Sequence, residues 1–325
     1  MTRKHGLTRR EFVKGAAVAA VGGPLALAAA GEVAPSAQAL KTPAAASRPS
    51  SGRPENGRRA EAFGWRLGMQ AYSFNRYTFF EAIEKTASLG LRYIEAYPGQ
   101  KLSTEKPNVV SDHNMSPEIR QEVKRKLEAS GVRLVCYGVV GLGKDEAAAR
   151  QVFDFAKDMG IETIVSEPPR DALPSLDKLC GEYGINIAIH NHAKPSPYWD
   201  PQIVLDACQG LSPRIGSCAD TGHWMRSEVN PVEALRKLEG RIVSLHFKDL
   251  NASGKGAHDV PWGTGQGNAR AMLEELARQR LKAVFSIEYE YNWTSSLPEI
   301  AQCVAYFEQV AGELAAASNK KGKSQ

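Results

Sequence analysis

The sequence lacks a C-x-x-C pair, and its five cysteines are widely spaced within apolar stretches. An odd number of scattered cysteines argues against a disulfide framework or a cysteine-built metal site. We therefore expect buried free thiols, with one disulfide at most in an oxidising compartment. The sequence also lacks a long apolar run, because the stretch over residues 15–30 is shorter than the ~20 residues that a membrane helix needs.

Net charge is small once the N-terminal segment is set aside. The whole chain carries a formal +5, and residues 1–39 contain five Lys or Arg against two Glu, which leaves +2 for the remainder. A nearly neutral surface gives no electrostatic reason to expect nucleic acid or an anionic membrane as a partner.

Residues 1–39 have the pattern of an export signal. A basic segment containing Arg9 and Arg10 precedes the apolar run, and a small-residue A-Q-A cleavage pattern ends at Ala39. The arginine pair resembles the twin-arginine type, which exports folded proteins and often their cofactors. This predicts a periplasmic or secreted chain that begins near Leu40 and has no stable membrane association after cleavage; an uncleaved anchor is the alternative.

The rest of the chain divides into three segments by composition. Residues 40–64 are rich in Ala, Pro, Ser, Gly and Arg without hydrophobic periodicity, which predicts a disordered linker. Residues 317–325 are expected to form a flexible tail. The intervening segment, 65–316, is close to the ~250 residues typical of one (β/α)8 barrel.

Short β-branched or apolar runs alternate eight times with amphipathic stretches in that segment. Several of the amphipathic stretches end at a glycine, as helices do before a strand. An open doubly wound sheet would have a Gly-rich phosphate turn after its first strand, and none is present there. We therefore predict the α/β class and a (β/α)8 TIM barrel. The predicted strands are 66–72, 92–97, 133–137, 163–166, 186–190, 215–218, 242–247 and 283–288, and the clearest predicted helices are 79–89, 116–130, 145–159 and 268–278.

Polar side chains occur where the predicted strands end, which is the catalytic end of such a barrel. A lone histidine at a strand end is usually structural, but several at successive strand ends indicate a common site. A His, an Asp, a His and a Glu from four strands suit one divalent cation, with Mn, Zn or Co favoured over Mg because imidazole is among the ligands. The candidate set is Glu95, Glu167, His190, His192, Asp220, His223, His246, Lys248, Glu288 and Glu290.

Four motifs resemble the xylose isomerase-like TIM barrel superfamily, which includes sugar phosphate isomerases and epimerases, tagatose 3-epimerase-like enzymes and inosose dehydratases. They are C-A-D-T-G-H at 218–223, L-H-F-K-D at 245–249, P-W-G-T-G-Q-G at 261–267 and S-I-E-Y-E at 286–290. In the epimerase branch a Glu, an Asp, a His and a Glu hold the metal, and the two Glu exchange the substrate proton. The resemblance implies that Asp220, His246 and Glu288 are the last three of these ligands.

The fourth ligand position departs from that pattern. Where the epimerases have Glu-Asn-His, this chain has His190, Asn191 and His192. His190 can still hold a cation, but the pair of carboxylate bases is then incomplete. Either a nearby acid or base completes it, or the reaction needs one base only, as an elimination does. The candidates for the second catalytic group are Glu167, Glu290 and His192.

The predicted substrate is a small carbohydrate. Aromatic side chains such as Trp262 at the strand ends would stack on sugar rings. Export argues for an unphosphorylated sugar, and the Gly-rich segment 263–267 is better explained as a turn over the substrate than as a phosphate site. The predicted substrate-binding residues are Glu95, His223, Lys248, Trp262 and Glu290.

We thus expect an exported metal-dependent isomerase or epimerase that removes a proton beside a metal-held carbonyl or hydroxyl. Its predicted catalytic residues are Glu288, Glu167 and His192. The sequence leaves three alternatives open: a dehydratase or lyase acting on a keto sugar or keto glycoside, a catalytically silent sugar-binding barrel, and an endonuclease IV-like phosphodiesterase. The last requires three metal ions and a basic groove, which the small net charge argues against. An oligomer is compatible with the sequence.

Overall fold

Eight parallel strands form a closed barrel in the computed structural model, which describes residues 58–61 and 63–322. Each strand pairs with its neighbours in chain order, and the last pairs with the first. This arrangement confirms the predicted (β/α)8 barrel. The strands are β1 Arg66–Gln70, β2 Tyr93–Ala96, β3 Arg133–Tyr137, β4 Thr163–Ser166, β5 Asn186–His190, β6 Ile215–Asp220, β7 Ile242–Phe247 and β8 Val284–Ile287.

Helices alternate with the strands. Their ends carry the signals that the sequence predicts: Ser116 and Asp145 accept backbone N–H groups at helix starts, and Gly131 and Gly160 end the same two helices in the left-handed conformation. The helices are α1 Arg58–Glu61, α2 Phe79–Ser88, α3 Pro117–Ser130, α4 Glu146–Met159, α5 Leu173–Tyr183, α6 Pro201–Ala207, α7 Thr221–Arg226, α8 Pro231–Lys237, α9 Ala269–Arg278 and α10 Leu297–Gly322.

The segment boundaries differ from the predicted ones at both ends of the barrel. Helix α1 lies within the predicted linker and buries Ala60, while α10 continues through the predicted start of the tail to Gly322. The predicted export signal and most of the linker lie outside the described residues. None of the described helices is both long and apolar enough to cross a bilayer.

Successive side chains along a strand point alternately to the hydrophobic core and to the barrel interior, where the candidate site lies. On β7, Leu245 and Phe247 belong to the main hydrophobic cluster shared with the helices, so His246 between them faces the barrel interior. The interior also holds a small separate cluster that includes Ala188 and Cys218. Polar side chains therefore lie above small apolar ones at the carboxyl end of the barrel.

All five cysteines are buried and free.

Candidate active site

Four side chains from consecutive strands converge at the carboxyl end of the barrel. His190 ends β5, Asp220 ends β6, His246 lies on β7 and Glu288 follows β8. Each contributes one potential ligand atom, and these atoms all lie within 4.8 Å of one another. All four residues are buried. The structure thus brings together the quartet that the sequence predicts as metal ligands.

The two histidines of the quartet each present one nitrogen to its centre. His190 Nε2 lies 3.5 Å from Asp220 Oδ2, and His246 Nδ1 lies 3.1 Å from Glu288 Oε2. Both nitrogens are buried and make no hydrogen bond within the described part of the chain. Orphaned buried nitrogens that face two carboxylates are the arrangement that a cation would satisfy, so the residues present fit a divalent metal ion.

Carboxylates hold the opposite nitrogens of the same rings. Glu167 Oε1 lies 3.1 Å from His190 Nδ1, and Glu95 Oε1 lies 2.9 Å from His246 Nε2. Metal-binding histidines usually donate their second ring N–H to a carboxylate in this way, which fixes both the tautomer and the ring orientation. This feature is a second observation that favours a metal centre.

Asp220 is fixed by its place between strand and helix. Its Oδ1 accepts the backbone N–H of His223 at 2.7 Å as the N-cap of α7, which leaves Oδ2 for the centre. The Asn191 side chain bonds both the N–H and the carbonyl of Asp220, each at 2.9 Å. The middle residue of the H-N-H motif therefore positions the strand-six ligand.

Lys248 is a fully buried ammonium beside the quartet. Its Nζ lies 2.8 Å from Asp220 Oδ2, 2.6 Å from Glu288 Oε2 and 3.0 Å from Glu290 Oε2. Burial opposes the ionisation of Glu288, but Lys248 and His246 hold its pKa well below the usual range. A Cβ on Gly222 would lie 2.6 Å from the Lys248 side chain, so the glycine of D-T-G-H makes room for it. Lys248 thus neutralises the acids of the site rather than lining the substrate cavity.

Glu167 is predicted as a catalytic acid or base, but both of its oxygens are engaged. Oε1 accepts from the His192 backbone and lies 2.5 Å from His192 Nδ1, and Oε2 accepts from Ser196 Oγ at 2.9 Å. Burial alone would raise the pKa of Glu167, but His190 and His192 lower it strongly. Its geometry is that of a residue that positions the two histidines.

Glu95 and Trp262, like Lys248, are predicted to bind substrate but do not line the cavity above the quartet, which corrects all three predictions. Glu95 is almost fully buried below His246, and its second oxygen accepts from Ser286 Oγ at 2.6 Å. Trp262 is also buried, with its ring 4.7 Å from that of Phe247, and belongs to the hydrophobic core. Glu95 supports a ligand, and Trp262 stabilises the fold.

A cavity of about 390 Å³ opens above the quartet. His192 lies at its rim with half of its side chain exposed, while His223 and Glu290 are more deeply placed. Burial lowers the pKa of His223 to about 3, so its imidazole is neutral near pH 7. The lining residues are Gln70, Tyr72, Tyr97, Pro98, Gly138, Val139, His190, His192, His223, Glu288 and Glu290.

Sequence reasoning missed Arg226, which lies on α7 one helical turn after His223. Its guanidinium contacts Glu290 Oε2 at 2.5 Å and Asp259 Oδ2 at 3.1 Å, and it lies 3.4 Å from His223 Nδ1. It therefore fixes the position of two cavity residues. Arg226 follows His223 by three positions and so lies on the same face of α7, which is the sequence signal that could have identified it.

The role of Asp249 was also missed. Its carboxylate accepts the backbone N–H groups of Gly263, Gly265 and Gly267 at 2.9, 3.0 and 2.9 Å. A Cβ on Gly265 would lie 2.4 Å from Asp249 Oδ1, which explains the glycine there. The Gly-rich segment is thus folded around an acid, and these three amides are not available to a phosphate.

A second histidine group lies at the rim of the cavity. His190, His192 and His223 also offer ligand atoms within 4.8 Å of one another. The group shares His190 with the quartet, and its His192 Nδ1 is already held by Glu167. The quartet is accordingly the better candidate for a cation.

The comparisons with known proteins agree with the fold. A family model described as xylose isomerase-like TIM barrel matches residues 83–309. An uncharacterised protein from Parabacteroides distasonis of known crystal structure is 31% identical, with a TM-score of 0.62, over 76% of this chain and 99% of that one. No curated protein matches the sequence at a significant level.

Two more distant crystal structures share the fold alone. A D-tagatose 3-epimerase-like protein is 17% identical over 79% of this chain and 99% of its own, with a TM-score of 0.57. A xylose isomerase-like TIM barrel protein from Mycobacterium smegmatis, in complex with magnesium, is 13% identical over 77% of this chain and 97% of its own, with a TM-score of 0.60. The family match and the Parabacteroides relative show that the chain belongs to the xylose isomerase-like TIM barrel family.

Proposed function

We propose that the protein is a metal-dependent sugar isomerase or epimerase that removes a proton from a carbon next to a carbonyl or hydroxyl. The observation that carries this proposal is the pair of orphaned buried nitrogens, His190 Nε2 and His246 Nδ1, that face Asp220 and Glu288 at the base of the cavity. The epimerase-like name of one structural neighbour is consistent with it.

The quartet His190, Asp220, His246 and Glu288 would hold one divalent cation. Two imidazoles and two carboxylates favour Mn, Zn or Co over Mg, although magnesium is the ion reported with the Mycobacterium barrel. A cation bound there would polarise a sugar carbonyl or hydroxyl and stabilise the negative charge that develops on it.

The chain's own residues supply the proton transfer. Glu288 lines the cavity and is held ionised by Lys248, so its carboxylate is ready to accept a proton from the substrate carbon. His223 is neutral, and the guanidinium of Arg226 beside its Nδ1 leaves Nε2 as the donor. That N–H can orient a sugar hydroxyl in the cavity.

Isomerisation between adjacent carbons needs one base, whereas inversion at one carbon needs a second group, for which His192 and Glu290 remain as candidates. Inversion needs proton-transferring groups on both faces of the substrate, whereas one base can move a proton along one face. His190 cannot act as the second group, because one nitrogen is held by Glu167 and the other belongs to the quartet. Glu167 is likewise occupied by its hydrogen bonds.

An elimination is the second candidate function, and one observation favours it. His192 lines the cavity that Glu288 also lines, where its imidazole could give a proton to a leaving group. A lyase of this kind would use Glu288 to take the proton next to a keto group. This reaction also needs only one base.

The lining favours an uncharged sugar. Among the described residues around the cavity there is no Lys or Arg, and two are Glu. A phosphate would find no Lys or Arg side chain in this lining, and three amides of the Gly-rich segment are already bound by Asp249. We therefore propose a free or oxidised sugar or a glycoside.

Solvent deuterium exchange tests the proposal. Protein loaded with Mn²⁺ or Co²⁺ should incorporate deuterium into a keto sugar of a broad panel, as followed by NMR, and Glu288→Gln should lose that exchange. Glu84→Gln, which changes an exposed carboxylate, is the control. Undiminished exchange in Glu288→Gln would move the base to Glu290. Absence of exchange with every sugar, in protein that binds metal, would leave a sugar-binding barrel.

A further inference from the structure

A second cavity, of about 650 Å³, lies beside the active-site cavity. It is formed by the segment between β1 and α2 and by the segment after β2, which includes a short antiparallel ribbon of Gln100–Lys101 with Val110–Ser111. We propose that this cavity binds a second ring of the substrate, so that the substrate is a glycoside of at least two rings. This inference rests on the proposed function and names its substrate class.

Tyr97 connects the two cavities, because its side chain lines both. Its ring packs edge-on against that of Tyr72 at 5.1 Å, and Tyr72 packs edge-on against Trp293 at 5.7 Å. Tyr72 is 38% exposed, which is high for a large aromatic side chain. Tyr72 and Tyr97 line the active-site cavity, and Tyr97 also lines the second one, so their rings can contact the apolar face of a sugar.

Gln100 carries an unsatisfied acceptor at the wall of the second cavity. Its Nε2 donates to the carbonyls of Phe74 and Tyr77 at 3.2 and 3.1 Å, so the amide orientation is fixed by two acceptors. The opposite atom, Oε1, has no hydrogen-bond partner within the described chain, although Gln100 is only 2% exposed. A buried acceptor without a partner is costly, and an O–H donor that reached Oε1 from the cavity after a small shift of its wall would relieve that cost.

The combination indicates a sugar rather than an apolar group. The cavity's lining includes side chains that donate and accept hydrogen bonds, such as Asn75 and Thr104, and the charged side chains of Arg76, Glu81 and Lys101. A hydroxylated ring supplies the O–H that Gln100 Oε1 lacks and the apolar face that Tyr97 can contact. The reacting ring would then lie at the quartet and the second ring beyond Tyr97.

A tryptophan that fills the second cavity tests this. Thr104 is exposed and its hydroxyl bonds only the adjacent Glu105, so Thr104→Trp should fold. Val110→Trp is the matched control, because Val110 is 37% exposed on the ribbon that the segment containing Thr104 connects, and it does not line the cavity. The probes are glucose and galactose with the disaccharides cellobiose, maltose and lactose, whose binding to the metal-loaded protein is measured by calorimetry.

We expect at least one disaccharide to bind tenfold or more tightly than its component monosaccharide. Thr104→Trp should remove that advantage, and Val110→Trp should keep it. Equal binding of disaccharides and monosaccharides, no binding of any disaccharide, or an advantage that survives in Thr104→Trp would overturn the inference.

The outcome is separable from that of the proposed function. Deuterium exchange without any preference for disaccharides would leave the enzyme and remove the second-ring site. A disaccharide preference that Thr104→Trp abolishes, without exchange into any sugar, would leave the second-ring site and remove the enzyme.

Discussion

Glu95 Oε1 lies 2.9 Å from His246 Nε2 inside the barrel, and Ser286 holds the other carboxylate oxygen. A carboxylate accepts hydrogen bonds and cannot donate them, so a neutral His246 that bonds a carboxylate here carries its proton on Nε2. His246 Nδ1 is then left as an acceptor that faces the quartet. The buried Glu95 side chain, at the ring nitrogen that faces away from the quartet, thus decides which nitrogen of His246 can bind a cation.

We predict that Glu95→Gln weakens metal binding by about 10- to 100-fold, because the amide fixes the His246 tautomer less well. Ser286→Ala keeps the carboxylate and should have a smaller effect. Asp220→Asn changes a ligand and should lose the metal. Competition with a metal-chelating dye measures all three affinities. An unchanged affinity in Glu95→Gln would show that the hydrogen bond does not support the ligand.

His190 provides a second test, because the epimerase branch that this chain resembles has a glutamate there. Glu167 Oε1 lies 3.1 Å from His190 Nδ1, so His190→Glu would place two carboxylates side by side. We expect that variant to hold the metal more weakly than wild type. The double variant His190→Glu with Glu167→Gln should recover a single bound ion and gain exchange with inversion of the sugar carbon. Metal analysis and NMR of the recovered sugar measure both outcomes. A double variant that binds no metal would contradict the ligand role of this position.

The barrel could be predicted because its signals are local. Strands β3, β4, β5 and β7 have the predicted bounds, since each is an apolar run between a glycine or polar turn and a polar end. The ends of β1 and β6 differ from the predicted ones. A 3-10 turn over Ala71–Phe74 ends β1 early, and β6 continues to Asp220. Such ends depend on contacts with neighbouring strands, which the local pattern does not contain.

The quartet could be predicted for the same reason, since a strand end fixes the height of a side chain in the barrel. The roles of the residues that surround the quartet could not be predicted in this way. Glu95 lies near a strand end, as the ligands do, yet its carboxylate contacts the His246 nitrogen that faces away from the quartet. Arg226 contacts Glu290, which is 64 positions away in the sequence. Asp249 binds glycines that are 14 to 18 positions away. These contacts are set by the packing of loops.

The export of the chain remains a prediction, because Arg9 and Arg10 lie outside the described residues. We expect the mature N-terminus near Leu40 in the periplasm or the medium, as measured by N-terminal sequencing of fractionated cells. Changing both arginines to lysine should leave the precursor in the cytoplasm. Normal export of that double variant would exclude the twin-arginine route.

Asp259 links stability to pH. Burial raises the pKa of Asp259 to about 7, and the attraction of Lys248 and Arg226 offsets only part of that effect. In the unfolded chain the pKa of an aspartate is about 3.9. Between these two values the folded state keeps a proton that the unfolded state releases, so this residue makes the free energy of unfolding fall as pH rises, by at most about 1.4 kcal/mol per pH unit.

Asp259→Asn should remove this dependence. The variant should gain Tm relative to wild type between pH 5 and pH 8, by about 2–4 °C for each kcal/mol removed. Calorimetry at fixed metal concentration measures the difference, and Asp171→Asn, at a side chain 62% exposed, is the control with no expected trend. The opposite trend, in which Asp259→Asn loses Tm at pH 8, would mean that the 3.1 Å ion pair with Arg226 outweighs burial.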